Sequence, residues 1–215
     1  MATAFVSGSA ALVRQYFMDG FHPTGKPQKT KKITPSGGLI KAVLINGAQS
    51  AIGCNSKYPL KRIKSVPYDE HQGFGAISLI DTLPLKGKNE FNLFIRDQIR
   101  LVEGTKKEFK FKMNKKNCNI KKFSVTLTWM DEPGAVGCTS CLINDIDMHV
   151  VKNGIRRFYP NGLDGEDHKN NVERIQVPAN RNDNFLVVIK GTSFITRATY
   201  FSAVATGCFQ KVLRG

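Results

Sequence analysis

The sequence predicts an α+β protein: a helical, glycine-rich front third over residues 1–85, then an antiparallel β-sandwich of jelly-roll type over residues 86–215. Three observations carry this reading. Apolar residues recur at helical spacing before Gly47. Beyond Pro84 the periodicity changes. From there at least seven short apolar or alternating runs are separated by Gly, Asn, Pro or charged turns, the pattern of stacked antiparallel sheets.

The first predicted helix covers residues 2–17, with apolar groups at Ala2, Phe5, Val6, Ala10, Val13 and Phe17. Ser7, Gly8, Ser9 and Ala10 lie between them, so the helix is expected to pack closely on more than one side. Residues 18–34 hold two Gly, two Pro and four Lys and read as a loop. A second helix comes next: Thr34 or Ser36 caps it, Pro35 fits the first turn, Leu39, Ile40, Val43 and Leu44 form its apolar face, and Gly47 ends it. From Gln49 to Leu85 the pattern is irregular, with a glycine turn at Gly73–Gly75 and a short helix expected at Ala76–Leu83. The strand-like runs are "FNLFIRDQIRLV", "KEFKFKMN", "FSVTLTWMDE", "INDIDMHVVKNG", "VERIQVP", "NFLVVIKGT" and "TYFSAVATG". Two apolar helices with almost no strand of their own cannot close a two-layer core, so a further packing partner is expected for them.

Lys and Arg number 32 against 17 acids, a net charge of +15. Such an excess attracts polyanions. The lysines, however, fall in short clusters (Lys29–Lys32, Lys106–Lys116, Lys121–Lys122) with no helix-turn-helix, zinc finger or RNA-stacking motif beside them. A solvated basic surface is the expectation, and nucleic acid is not the expected partner. No apolar run is long enough to span a bilayer, and no basic region precedes the first apolar residues, so neither a membrane span nor a signal peptide is expected. Five cysteines leave at least one unpaired within the chain, and the compartment stays open.

Four groups are candidates for chemistry. His22 lies in a Pro/Gly loop, His71 beside Glu70, His149 in a strand and His168 after an acidic turn, with no hydrolase signature around them. Cys138-Thr-Ser-Cys141 has ligand-like spacing but no second CxxC. Zinc there would need Cys118, Cys208 or His149 to converge, and a loop disulfide or free thiols is the expectation. Asp145 and Asp147 point to one side of a strand while Ile146 points to the core. Two carboxylates on one face suit a hard cation, with "NGLDGEDHKNN", residues 161–171, adding ligands from a facing loop. The competing expectation is neutralisation by Lys152, Arg156, Arg157 or Lys169.

Met1-Ala2-Thr3, with Val6-Ser7-Gly8, Ala10-Ala11-Leu12 and Arg14-Gln15-Tyr16-Phe17 after it, resembles the stretch beyond the nucleophile in the Gly-Thr-Ser-Met-Ala-Thr-Pro motif of subtilisin-like serine proteases. Ala4 stands where that family has Pro. "TPSGGLIKAVLINGAQ" and "QGFGAISLIDTL" are similar to the next helix and the closing segment of the family's catalytic domain, and the β region to the C-terminal jelly roll of its bacterial alkaline-protease branch. The resemblance implies that residues 1–85 are the helical remnant of the α/β catalytic domain and residues 86–215 a P-domain-like jelly roll. It implies that the triad Asp, His and Ser and the oxyanion Asn precede Met1. On that reading the chain contains no catalytic residue, Met1, Ala2 and Thr3 are the motif remnant, and a protein or peptide is the substrate of the full-length family. Calcium binding, known for jelly rolls of this branch, is implied for Asp145 and Asp147.

Gly191-Thr192-Ser193 in "GTSFIT" matches the start of the same motif. The residues after it read as a strand rather than a small-residue helix, so a turn between sandwich strands is expected there. The expected function is the C-terminal portion of a subtilisin-like endopeptidase, itself catalytically incomplete. The alternatives are a non-catalytic β-sandwich that binds or stabilises, and a basic polyanion-binding protein.

Overall fold

The computed structural model describes residues 1–50, 54–55, 58–59, 68, 72–114, 116, 118, 120–139 and 141–214, by backbone alone at 54, 55, 58, 59 and 211–214. His71 lies outside them. Helix α1 spans Ala2–Met18 and α2 Gly37–Gly47. The strands are β1 (Cys54–Asn55), β2 (Tyr58–Pro59), β3 (Asn92–Leu101), β4 (Lys106–Met113), β5 (Lys122–Trp129), β6 (Asn144–Lys152), β7 (Arg156–Phe158), β8 (Val172–Pro178), β9 (Asn184–Phe194), β10 (Thr199–Gly207) and β11 (Phe209–Arg214). Apart from the β1–β2 pair they form two antiparallel sheets, ordered β3-β10-β5-β8 and β11-β4-β9-β6-β7.

The inner faces of these sheets enclose the larger core. Alternation places Phe123, Val125, Leu127 and Trp129 of β5 opposite Ile146, Met148, Val150, Phe185 and Ile189 of the second sheet. Phe123 stacks on Phe185 with ring centroids 4.6 Å apart, and Phe111 meets both Phe123 and Phe209 at 5.0 Å. Such offset and edge contacts add about 0.5–1.5 kcal/mol each to the burial of the rings. Cys118 and Cys208 form a disulfide that ties the segment before β5 to the junction of β10 and β11.

The outer face of the first sheet is covered as well. Ser124, Thr126, Thr128, Ser202 and Thr206 alternate with the core residues as solvent-facing positions would, yet all are buried. Helix α2 lies over them. Asn46 Nδ2 donates to Thr206 Oγ1 at 2.9 Å, and Asn46 Oδ1 accepts from Ser124 Oγ at 3.0 Å and Thr126 Oγ1 at 3.1 Å. Thr128 Oγ1 donates to the Gly38 carbonyl at 2.9 Å. A Cβ on Gly38 would stand 3.1 Å from Ser202 Oγ, so a small residue allows this approach. Val13, Phe17, Leu39, Val43 and Leu83 then form a second core with Leu93 and Val204 of the sheet.

Ser36 caps α2, accepting from Leu39 N at 3.0 Å, and is itself fixed by Asp97 of β3, which accepts from Ser36 Oγ at 2.5 Å and Ser202 Oγ at 2.7 Å. The α2 boundaries agree with the Ser36 and Gly47 signals. The helix expected at Ala76–Leu83 shrinks to a single 3-10 turn, Leu79–Asp81. Asn89 Nδ2 donates to the Ile80 and Leu83 carbonyls at 2.8 and 3.0 Å, satisfying from outside the turn two acceptors that helical bonding leaves open there.

The α+β assignment is therefore corrected to a mostly-β one. Among the described residues, two α-helices stand against eleven strands, and the front third is not a helical body with its own core. Val13, Phe17, Leu39, Val43 and Leu83 are buried against the sheet, while Phe5 and Leu12 of α1 stay exposed, and the polar half of the interface is disguised in the sequence as a wet strand face. The β-sandwich itself agrees with the strand pattern. Two of its strands, β7 and β11, extend the set expected.

Candidate metal centre

The site grows from an irregularity in the pairing of β6 with β9. Asp145 pairs with Ser193 and Ile146 with Gly191, so Thr192 is the extra residue of a bulge. Gly191 is required here, because a Cβ would lie 2.8 Å from the Val102 carbonyl oxygen. The bulge turns the Thr192 hydroxyl onto Asp147 Oδ2, to which it donates. Ile146 and Met148 enter the core on either side, leaving Asp145 and Asp147 together on the other face.

A folded loop closes over that face. Asp167 is 2% exposed and acts as its hub. Its Oδ1 accepts from Lys169 N at 3.0 Å, and its Oδ2 from Asn161 Nδ2 at 2.6 Å and Asn170 Nδ2 at 2.8 Å. Asn161, at φ 55°, also accepts from Arg174 N at 3.0 Å and so joins the loop to β8. Thus held, His168 lays Nδ1 2.7 Å from Asp145 Oδ2 and 3.7 Å from Asp147 Oδ1. The candidate ligand atoms of Asp145, Asp147 and His168 all lie within 4.8 Å of one another.

Two oxygens of this group, Asp145 Oδ1 and Asp147 Oδ1, are buried without a hydrogen-bond partner. Glu173 lies at the same edge, fully buried, its Oε2 accepting from Met148 N at 2.6 Å where the short β7 leaves β6 unpaired. Burial pushes the Asp147 carboxyl up to about 6, with Asp145 and Glu166 adding to the rise while Thr192 and His168 oppose it. Burial also raises Asp145, against the hydrogen bond to His168. That hydrogen bond raises the imidazole. Burial, then repulsion from Asp147, holds Glu173 well above the carboxylate range. The arrangement is a carboxylate pair with an imidazole in reach, suited to holding a cation or sharing a proton.

The paired carboxylates are where the sequence put them, and the loop at 161–171 does face them. The specific contribution of His168, a nitrogen donor, was not legible, because the fold of the loop depends on Asp167 and Asn161. Two of the expected neutralising cations go elsewhere: Lys152 pairs with Asp183 at 2.8 Å, and Arg156 lies over Phe158. Met1, Ala2 and Thr3 occupy the exposed start of α1. Gly191-Thr192-Ser193 lies on strand β9 rather than in a turn, and Ser193 is exposed. Cys138 and Cys141 form a disulfide, which removes both as zinc thiolates. His149 lies in β6 near Tyr159, and His22 lies just beyond α1 beside Phe17.

No protein-family model matches the chain. It is 26% identical over 260 residues to the serine protease/ABC transporter B family protein tagD of Dictyostelium discoideum, covering 96% of this chain and 14% of that protein. To tagB of the same organism it is 26% identical over 249 residues (96% and 13%), and to tagA 26% over 219 residues (94% and 12%). The chain thus spans only about an eighth of the length of the curated relatives it matches. These distant similarities, running along nearly the whole chain, support a protease-related family.

Proposed function

We propose that this chain is the carboxy-terminal portion of a subtilisin-like serine endopeptidase unit, in which residues 1–85 complete the catalytic domain and residues 86–215 form a supporting sandwich. It supplies packing and no member of the triad. The observation that carries this is the surface of α1. Residues 2–8 at its start are exposed, Phe5 at 63%, and Leu12 further along is exposed at 55%, although the helix is apolar on several sides. A helix of that composition belongs inside a core.

Grooves flank it. One, of about 490 Å³, is lined by Leu12, Tyr16, Phe21, Leu79, Leu83 and Leu85. The other, of about 420 Å³, is lined by Val6, Ile40, Leu44, Ile45, Phe74 and Ile77. A monomer rarely leaves contiguous apolar surface of this kind unpartnered. The names of the relatives, which include "serine protease", favour a protease domain as the body that covers it.

Hydrogen exchange on the 215-residue chain tests the packing role. Amides of residues 2–8 are expected to exchange far faster than those of 37–47, and the chain should neither hydrolyse peptides nor react with a fluorophosphonate. Labelling of the chain by that probe would overturn the non-catalytic assignment.

A further inference from the structure

We propose that Cys138 and Cys141 form a thiol–disulfide exchange site, whose reaction partners are thiols of the glutathione or thioredoxin class. The site is independent of the protease reading.

The two disulfides of the chain stand in different surroundings. Cys118–Cys208 spans 90 residues, and Cys208 packs against the larger core. Cys138 and Cys141 are three positions apart in the loop between β5 and β6, where Cys141 is exposed and Cys138 half-buried. In the chain-entropy account so small a ring restricts the unfolded chain less than half as much as one of 90 residues. Nor does the loop depend on the bond for its course. Asp131 fixes its far end, accepting from Ile143 N at 2.7 Å and Asn144 Nδ2 at 2.9 Å, and the Ala135 carbonyl accepts from Cys138 N at 3.2 Å. The pair therefore lies where a crosslink stabilises least and where an incoming thiol has access, the setting of labile and regulatory disulfides.

The loop is nonetheless shaped around the sulfurs. A Cβ on Gly134 would stand 2.9 Å from the Cys141 carbonyl oxygen and 3.2 Å from Cys138 Sγ, so only glycine lets the chain pass this close to the pair. Gly137, at φ 79°, supplies the left-handed step that leads into Cys138. With Gly134 against Cys138 Sγ, Cys141 carries the sulfur open to attack.

The exchange is a two-electron step. An incoming thiolate forms a bond to Cys141 Sγ as the bond to Cys138 breaks, and the electron pair leaves on Cys138, which takes up a proton. A second thiolate, from the same dithiol or from another glutathione, then attacks the partner's sulfur in the mixed disulfide. Cys141 leaves as a thiolate and is protonated in turn. This chain gains two thiols, and the partner gains one disulfide.

The test uses the whole 215-residue chain, folded and without denaturant, both as it stands and with Cys54→Ser, which stops the fifth cysteine from shuffling the pairs. It is held in dithiothreitol, quenched by alkylation at intervals and mapped by mass spectrometry. Cys138 and Cys141 are expected to be reduced at least tenfold faster than Cys118 and Cys208, with the melting temperature lowered by less than about 5 °C. Thioredoxin, supplied with its reductase and NADPH, should consume one NADPH per chain, and none once Cys138→Ser and Cys141→Ser are added. Glutathione trapped by acid quench should sit on Cys141. Reduction of both pairs at one rate, resistance of the Cys138–Cys141 bond in the folded chain, or a melting temperature that falls as far as on loss of Cys118–Cys208 overturns the proposal.

Discussion

Arg174 on β8 donates from Nη2 to the Ala48 carbonyl at 2.8 Å, so the edge of the sandwich is bolted to the end of α2 by a single buried guanidinium. Nη1 reaches the Phe74 carbonyl at 3.1 Å, and the side chain is 2% exposed. Burial lowers its pKa to about 10, which still leaves it charged at neutral pH. Arg174→Met should leave these backbone acceptors unsatisfied and cost about 3 kcal/mol or more. Urea unfolding measures the loss, and protection of α2 amides should fall with it. An unchanged midpoint would mean that the helices are not anchored through β8.

Asp131 organises the start of β6. It accepts from Ile143 N at 2.7 Å and Asn144 Nδ2 at 2.9 Å, while Asn144 Oδ1 accepts from Thr196 Oγ1 at 2.7 Å. The Asn144 carbonyl takes the Trp129 indole N–H at 2.9 Å. Charge-assisted bonds of this kind contribute about 1.5–3 kcal/mol each, so Asp131→Ala should destabilise by about 2–4 kcal/mol. Trp129 is the sole tryptophan, so its emission should shift to the red in the variant as the indole bond loosens.

The Cys118–Cys208 disulfide spans 90 residues. A loop of that length restricts the unfolded chain by roughly 4–5 kcal/mol in the chain-entropy account. Cys118→Ser with Cys208→Ser should therefore lower the melting temperature by roughly 10 °C. Equal stability of oxidised and reduced chains would show that the crosslink merely decorates the sheet ends.

His22 gives the chain an acid sensitivity separate from its carboxylates. Burial against Phe17 lowers its pKa from 6.5 to about 4. Between those values the unfolded chain binds more protons than the folded one. Stability contributed by neutral His22 is therefore complete above pH 6.5 and is lost as pH falls toward 4. The loss is at most about 3 kcal/mol, less to the extent that the ring is only partly buried. In His22→Gln the difference from the parent should narrow over this window, read from urea midpoints at pH 4.5 and 7.

Much of the sandwich was legible because its strands obey local rules. Val172–Pro178 and Thr199–Gly207 were read to the residue, and Ser36 and Gly47 marked α2, since turns and caps are short-range signals. The cover on the first sheet was not legible. Ser124, Thr126 and Thr128 alternate as wet residues do, and only their partners on α2, Asn46 for the first two and Gly38 for the third, about 80–90 residues away in sequence, reveal that they are buried. Likewise, Asp145 and Asp147 announce a shared face, but His168 reaches them through a loop folded around Asp167. Long-range hydrogen bonding leaves no period in a sequence.

The protease reading rests on α1 as a helix meant for a larger core. Joining the whole chain directly after the Gly-Thr-Ser of a subtilisin-like catalytic core, and measuring fluorophosphonate labelling of that serine, tests it most directly. Labelling at the core's own serine, abolished by its replacement with Ala and reduced at least tenfold by Phe5→Glu with Leu12→Glu, is the expected result. A soluble, folded fusion that stays unlabelled, or one that labels equally with both glutamates in place, would contradict the assignment of α1 to a protease interior.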